Sequence, residues 1–130
     1  MPEDAITEES IKALVDRFYL KVRNHEDLGP VFDNAIGDSD DAWKPHLERM
    51  YAFWSSIMLT SGRYHGNPMQ KHKDLPNFNE GLFDTWLKLF EETAHEVHSP
   101  AIAERYIDRS KRIAESLKLG LYYKPERKQK

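Results

Sequence analysis

The amino-acid sequence predicts an all-α protein, and three observations predict it. Apolar residues recur at steps of three and four in four long stretches, the spacing that lines one face of a helix. No useful length alternates apolar and polar with the period of two that a half-buried strand requires. Cap and stop residues also fall where such helices should begin and end.

The first long helix carries Ile11, Leu14, Val15, Phe18 and Val22 on one stripe. Thr7 is its expected N-cap, with Glu8 and Glu9 in the first turn, where the helix dipole favours acids. His25 to Gly29-Pro30 reads as a break, with Pro30 opening a short helical turn that bears Val31 and Phe32. Gly37 to Asp41 is an acidic turn leading into a second long helix, whose apolar face holds Trp43, Met50, Phe53 or Trp54, and Ile57. Pro45 lies inside that pattern and is expected to bend the helix or delay its start. Asn67-Pro68 reads as the cap and first residue of a short helix that Asp74-Leu75-Pro76 stops. Asn79 is the expected cap of a third long helix with Leu82, Phe83, Trp86, Leu87, Phe90, Ala94 and Val97 on its buried side. Ser99-Pro100 ends it and opens the last helix, marked by Ile102, Ala103, Tyr106, Ile107, Ile113, Ala114 and Leu117, with Gly120 as its expected stop. Residues 1–123 form one expected domain and 124–130 a charged, disordered tail.

Composition narrows the function without naming it. A chain of 130 residues should bury roughly two-thirds of its unfolded surface, enough for one core. Lys+Arg 19 against Asp+Glu 22 leaves a net charge of −3, which argues against nucleic-acid and anionic-membrane binding. The absence of cysteine excludes disulfides, thiol nucleophiles, iron–sulfur clusters and Cys-ligated zinc. The longest unbroken apolar run, Met50 to Trp54, is far short of a membrane span. The acidic start has no apolar stretch behind it, so a cytoplasmic location is expected.

The candidate ligands and bases are the six histidines. His25 and His65 sit in polar connectors and read as solvated, and His95 and His98 read as surface imidazoles at a helix end. Glu92-x-x-His95 matches half of a carboxylate di-iron signature, but no other histidine has a Glu three residues before it. His46 heads an otherwise apolar wall, and His72 sits on a short helix clamped at both ends, which holds a side chain in one direction. On the residues alone, a satisfied core or surface imidazole remains the commoner explanation for both. Tyr19 lies beside the first apolar stripe, where its hydroxyl can face either a cavity or the surface. Trp86 lies among apolar residues, and its donor-only N–H needs an acceptor.

Several ordered segments carry a resemblance. They are Leu28-Gly29-Pro30-Val31-Phe32, His46-Leu47 with Met50 and Phe53-Trp54-Ser55-Ser56, Ser61-Gly62-Arg63-Tyr64, Gly66-Asn67-Pro68-Met69 running to His72, Leu75-Pro76, and Trp86 with Leu89-Phe90. In this order and spacing, across residues 6 to 120, the chain resembles the third group of truncated haemoglobins. The resemblance implies a globin-like, two-over-two helical sandwich around haem b. It implies His72 as the proximal iron ligand and Tyr19, His46, Trp86 and Met50 as the distal, ligand-facing pocket. Phe18, Phe32, Phe53, Trp54 and Leu75 would line the haem, and Arg63 would pair with a propionate.

The implied small ligands are O₂, CO, NO or peroxide. Donors at Tyr19 and Trp86 would stabilise partial negative charge on bound O₂ in a low-dielectric pocket. That favours tight O₂ binding and chemistry on O₂, peroxide or NO, of peroxidase or NO-dioxygenase type, over the oxygen transport also associated with globins. Such turnover would need an external electron donor, because no reductase domain is visible. Protonated His46 would be excluded from an apolar pocket, so acid is expected to swing it outward. The alternatives are a haem-free helical interaction module and a non-haem metalloenzyme using Glu92 and His95.

Overall fold

A computed structural model describes residues 5–66 and 81–121. Among the described residues there are five helices and no strand: α1 (Glu8–Arg23), α2 (Leu28–Ile36), α3 (Asp40–Leu59), α4 (Gly81–Val97) and α5 (Pro100–Leu121). The all-α expectation therefore holds. The expected short helix with His72 and Leu75, and the Asn79 cap, lie outside the described residues.

Local chemistry accounts for the helix starts. Thr7 Oγ1 accepts the Ser10 N–H at 3.0 Å and Ser10 Oγ accepts the Thr7 N–H at 2.9 Å, so two otherwise orphaned donors satisfy each other's side chains. Ser39 Oγ accepts from the Ala42 N–H at 3.1 Å and opens α3. Pro100 begins α5, as expected, because its missing N–H has no partner to lose there.

Five expectations are corrected, one of them His98, which is 1% exposed and stacks on Tyr106 with centroids 4.9 Å apart instead of lying on the surface. The break after α1 is shorter than Gly29-Pro30 suggests: α2 already starts at Leu28, and Pro30 falls in its first turn, where a backbone N–H is not needed. His25 is no bystander there, since its Nδ1 accepts from the N–H groups of Asp27 and Leu28 at 3.0 and 3.2 Å and caps α2. Pro45 does not delay α3, which starts at Asp40 and carries the proline inside. The Ser39 cap and the acids Asp40 and Asp41 stabilise the turn before it. Gly120 does not stop α5, which continues to Leu121.

α1 packs on α3 and α4 packs on α5, and the two pairs meet where α1 crosses α4. This is the two-over-two arrangement. The core is the predicted face of α1 (Ile11, Leu14, Val15, Phe18, Val22) with Trp43 and Trp54 of α3, Phe90 and Ala94 of α4, and Ala103, Tyr106 and Ile107 of α5. The choice left open on α3 resolves to Trp54, which is buried while Phe53 is half-buried. At its centre Trp86, Phe90 and Trp54 stack in series, with centroids 5.5 and 5.1 Å apart and planes within 2° and 12° of parallel. No helix among the described residues is long and apolar enough to cross a membrane.

The α1–α4 crossing is also held at its surface. Lys21 Nζ donates to Glu92 and Glu96, both at 2.9 Å, and Arg17 Nε donates to Glu96 at 2.7 Å. Lys21, and after it Arg17, hold the Glu96 carboxyl below its ordinary value near 4.5. A carboxylate with a depressed folded-state pKa stabilises the fold above its unfolded pKa, and the contribution is lost as pH falls through the folded value. Thermal unfolding across the range below about pH 5 should therefore show a shallower acid loss of stability in Glu96→Gln than in the parent.

Candidate functional site

The residues expected on the ligand-facing side come from three helices, α1, α3 and α4, and the fold brings the key ones together. Tyr19 is buried, 5% exposed, on the edge of the α1 stripe facing α2, α3 and α4. The Trp86 indole lies beside the Tyr19 hydroxyl as a hydrogen-bonding neighbour, where the phenol oxygen is an acceptor within reach of the indole N–H. Burial raises the Tyr19 pKa far above that of a free phenol, with the Trp86 hydrogen bond opposing the rise only in part. The phenol therefore keeps its proton. With its proton kept, the Tyr19 hydroxyl has a hydrogen to offer an acceptor.

His46 stands edge-on to Tyr19, centroids 5.1 Å apart and planes at 89°. Phe18 meets Tyr19 at 4.9 Å and Trp86 at 5.4 Å, edge to face in both cases. Phe32 closes on Tyr19 from α2 at 6.0 Å. Met50 and Phe53 are half-buried against the same cluster, and Phe53 also meets Tyr64 at 5.2 Å. Trp54 lies deeper, covered by Phe90 and Tyr106, so its ring belongs to the core between the helix pairs.

Arg63 is engaged elsewhere. Its Nη1 donates to Glu8 Oε1 at 2.5 Å. The buried Ser55 hydroxyl donates to the other Glu8 oxygen at 2.6 Å and, having given its proton, accepts from Ser61 at 2.7 Å. The Ser55 hydrogen bond foremost, and then Arg63, lower the Glu8 pKa. This network ties the start of α1 to the end of α3 and to the connector that leads toward position 72. His72 and Leu75 themselves lie outside the described residues.

Two features were not singled out as site residues by sequence reasoning. Trp43 was assigned only to an apolar face, yet its ring touches His46, Tyr19 and Phe32. The available signal was the spacing of three between Trp43 and His46, which places the two rings on one helix face. Glu8 was read only as a first-turn acid, and no local pattern marks an ion pair spanning 55 positions. The half-motif Glu92-x-x-His95 is drawn apart by its neighbours: Glu92 pairs with Lys21, and His95 lies 3.7 Å from Glu104. Among the described residues no group of three His, Cys, Asp or Glu side chains is placed to hold a metal ion.

A flat apolar tetrapyrrole needs aromatic and aliphatic walls and, on the side where small ligands enter, a few fixed polar groups. The described residues fit that need, with the buried Tyr19 hydroxyl and the half-buried Trp86 indole set among Phe18, Phe32, Met50 and His46.

The comparisons with known proteins agree with this geometry. No protein-family model matches the chain. The group 3 truncated hemoglobin ctb of Campylobacter jejuni is 43% identical over 122 residues, which cover 94% of this chain and 96% of that protein. The crystal structure of a group III truncated hemoglobin from Campylobacter jejuni superimposes with a TM-score of 0.92 at 42% identity, covering 97% of this chain and all of the other. With the sequence and the fold both matched along nearly the whole length, the chain belongs to the group III truncated haemoglobins.

Proposed function

We propose that the chain holds haem b, with His72 as the proximal ligand, and binds O₂ and other diatomic molecules tightly on the side walled by Tyr19, His46, Trp86 and Met50. The observation that carries this reading is the buried Tyr19 side chain with the His46 ring edge-on to it and the Trp86 indole beside its hydroxyl. When bound, haem supplies an iron to which a diatomic ligand attaches. The protein's part is to hold a proton where negative charge develops. An indole N–H donating to the Tyr19 oxygen would polarise the phenol and strengthen its O–H as a donor to the ligand. Donors linked in this way act as one unit in a dry pocket.

Tight retention suits chemistry on O₂, peroxide or NO rather than transport. Turnover would draw on an external electron donor. Phe18, Phe32 and Phe53 keep water from the ligand side. Arg63 is already paired with Glu8 through Nη1, so a propionate there would share the guanidinium with that carboxylate or displace it.

The visible absorption spectrum of the purified full chain tests the proposal. A Soret band is the expected result. Failure to take up haem would overturn it in favour of an interaction module, and bound non-haem iron or manganese would favour the Glu92 and His95 alternative.

A further inference from the structure

His46 has two aromatic walls, and only one of them is shared with the ligand-facing donors. Tyr19 forms the first. Trp43, one helical turn earlier on α3, forms the second, with ring centroids 5.2 Å apart and planes at 87°. Trp43 is completely buried and is fixed from three directions. Its Nε1–H donates to the Gly37 carbonyl at 2.9 Å, at the turn between α2 and α3. Phe32 stacks on it at 6.1 Å with planes 29° apart. The Arg23 guanidinium lies over the indole, 5.0 Å from the ring centroid. Arg23 is itself tethered, by Nη1 to the Asp40 carboxylate at 3.0 Å and by Nη2 to the Asp38 carbonyl at 3.4 Å.

From this geometry we infer that Trp43 is the positioning residue for His46. Its immobile indole holds the imidazole against Tyr19, and Arg23 locks the indole by joining the end of α1 to the start of α3. The inference rests on the reading of His46 as the side chain that screens the ligand pocket. An imidazole in an apolar wall keeps one orientation only while both neighbouring rings stay in place. Tyr19 must serve the ligand, so the wall that does not move is Trp43. An edge-to-face ring contact is worth about a two- to tenfold bias in a two-state side-chain equilibrium.

The test is CO association, measured by flash photolysis on the haem-loaded full chain. W43L should raise the rate roughly two- to tenfold toward that of H46L, and W43F, which keeps an aromatic edge, should bring it back toward the parent. The double variant W43L/H46L should be no faster than H46L alone, because the two changes act through one side chain. Multiplying rates in the double variant would overturn the inference, since a merely structural role acts independently of His46. An unchanged rate in W43L while H46L is fast would overturn it too, leaving the screening role of His46 intact.

If H46L itself leaves the rate unaltered, the screening reading fails. The positioning claim is then decided by NMR of the His46 side-chain couplings, which should shift from one rotamer toward an average in W43L. Unshifted couplings sink it. Should W43L not fold, R23Q loosens the indole without removing it. A smaller acceleration in R23Q supports the inference, and none contradicts it.

Discussion

Replacing Tyr19 by phenylalanine is expected to speed O₂ release from the haem-loaded protein by roughly ten- to hundredfold, at about 1.5–3 kcal/mol for a hydrogen bond to a charged partner and 1.4 kcal/mol per factor of ten. Two independent donors would together reach up to about four factors of ten by the same arithmetic. The geometry argues against independence. Trp86 neighbours the Tyr19 hydroxyl, and an indole N–H spent on that oxygen leaves the phenol as the group with a proton to give. Trp86→Phe should therefore have the smaller effect, and the double variant should exceed Tyr19→Phe only slightly, the non-additivity expected of a shared network. Stopped-flow displacement of O₂ by CO reads all three rates. If neither single variant changes the O₂ off-rate, the donors do not serve the ligand.

The largest expected loss of stability is at Phe90. This ring stacks on Trp86 and on Trp54 and meets Phe18 at 5.1 Å and Tyr106 at 6.5 Å. It is therefore the point where both helix pairs and the Trp86 donor are held together. Phe90→Ala removes one side of every one of these contacts and leaves a cavity that four rigid rings cannot collapse to fill. The cost should be about 3–5 kcal/mol, a large share of the roughly 5–15 kcal/mol available to a domain. Denaturant unfolding of the variant measures it, with the midpoint falling and the slope unchanged. A cost under about 1 kcal/mol would mean that the stack is not the centre of the core.

Much of this was legible in the sequence because it follows from periodicity. The α1 stripe of Ile11, Leu14, Val15, Phe18 and Val22 is buried as its spacing requires. Tyr19, read as the neighbour of that stripe with its hydroxyl aimed at either a cavity or the surface, is buried with its hydroxyl beside the tryptophan whose N–H needed an acceptor. What was not legible is long-range or chemically unusual. Arg63 meets Glu8 across 55 positions, and Lys21 meets Glu96 across 75. His25 caps a helix with an imidazole nitrogen rather than with one of the usual Ser, Thr, Asp or Asn oxygens. Pro45 breaks a propensity rule that the capped first turn of α3 overrides.

The central claim is the bond between His72 and haem iron. Its most direct test is the ferrous, ligand-free absorption spectrum of His72→Gly, recorded without and with added imidazole. The account predicts that the variant loses the parent's five-coordinate histidine spectrum and that imidazole, entering the space left by the side chain, restores it. A His72→Gly spectrum identical to the parent's without imidazole would contradict the claim, since another residue would then hold the iron.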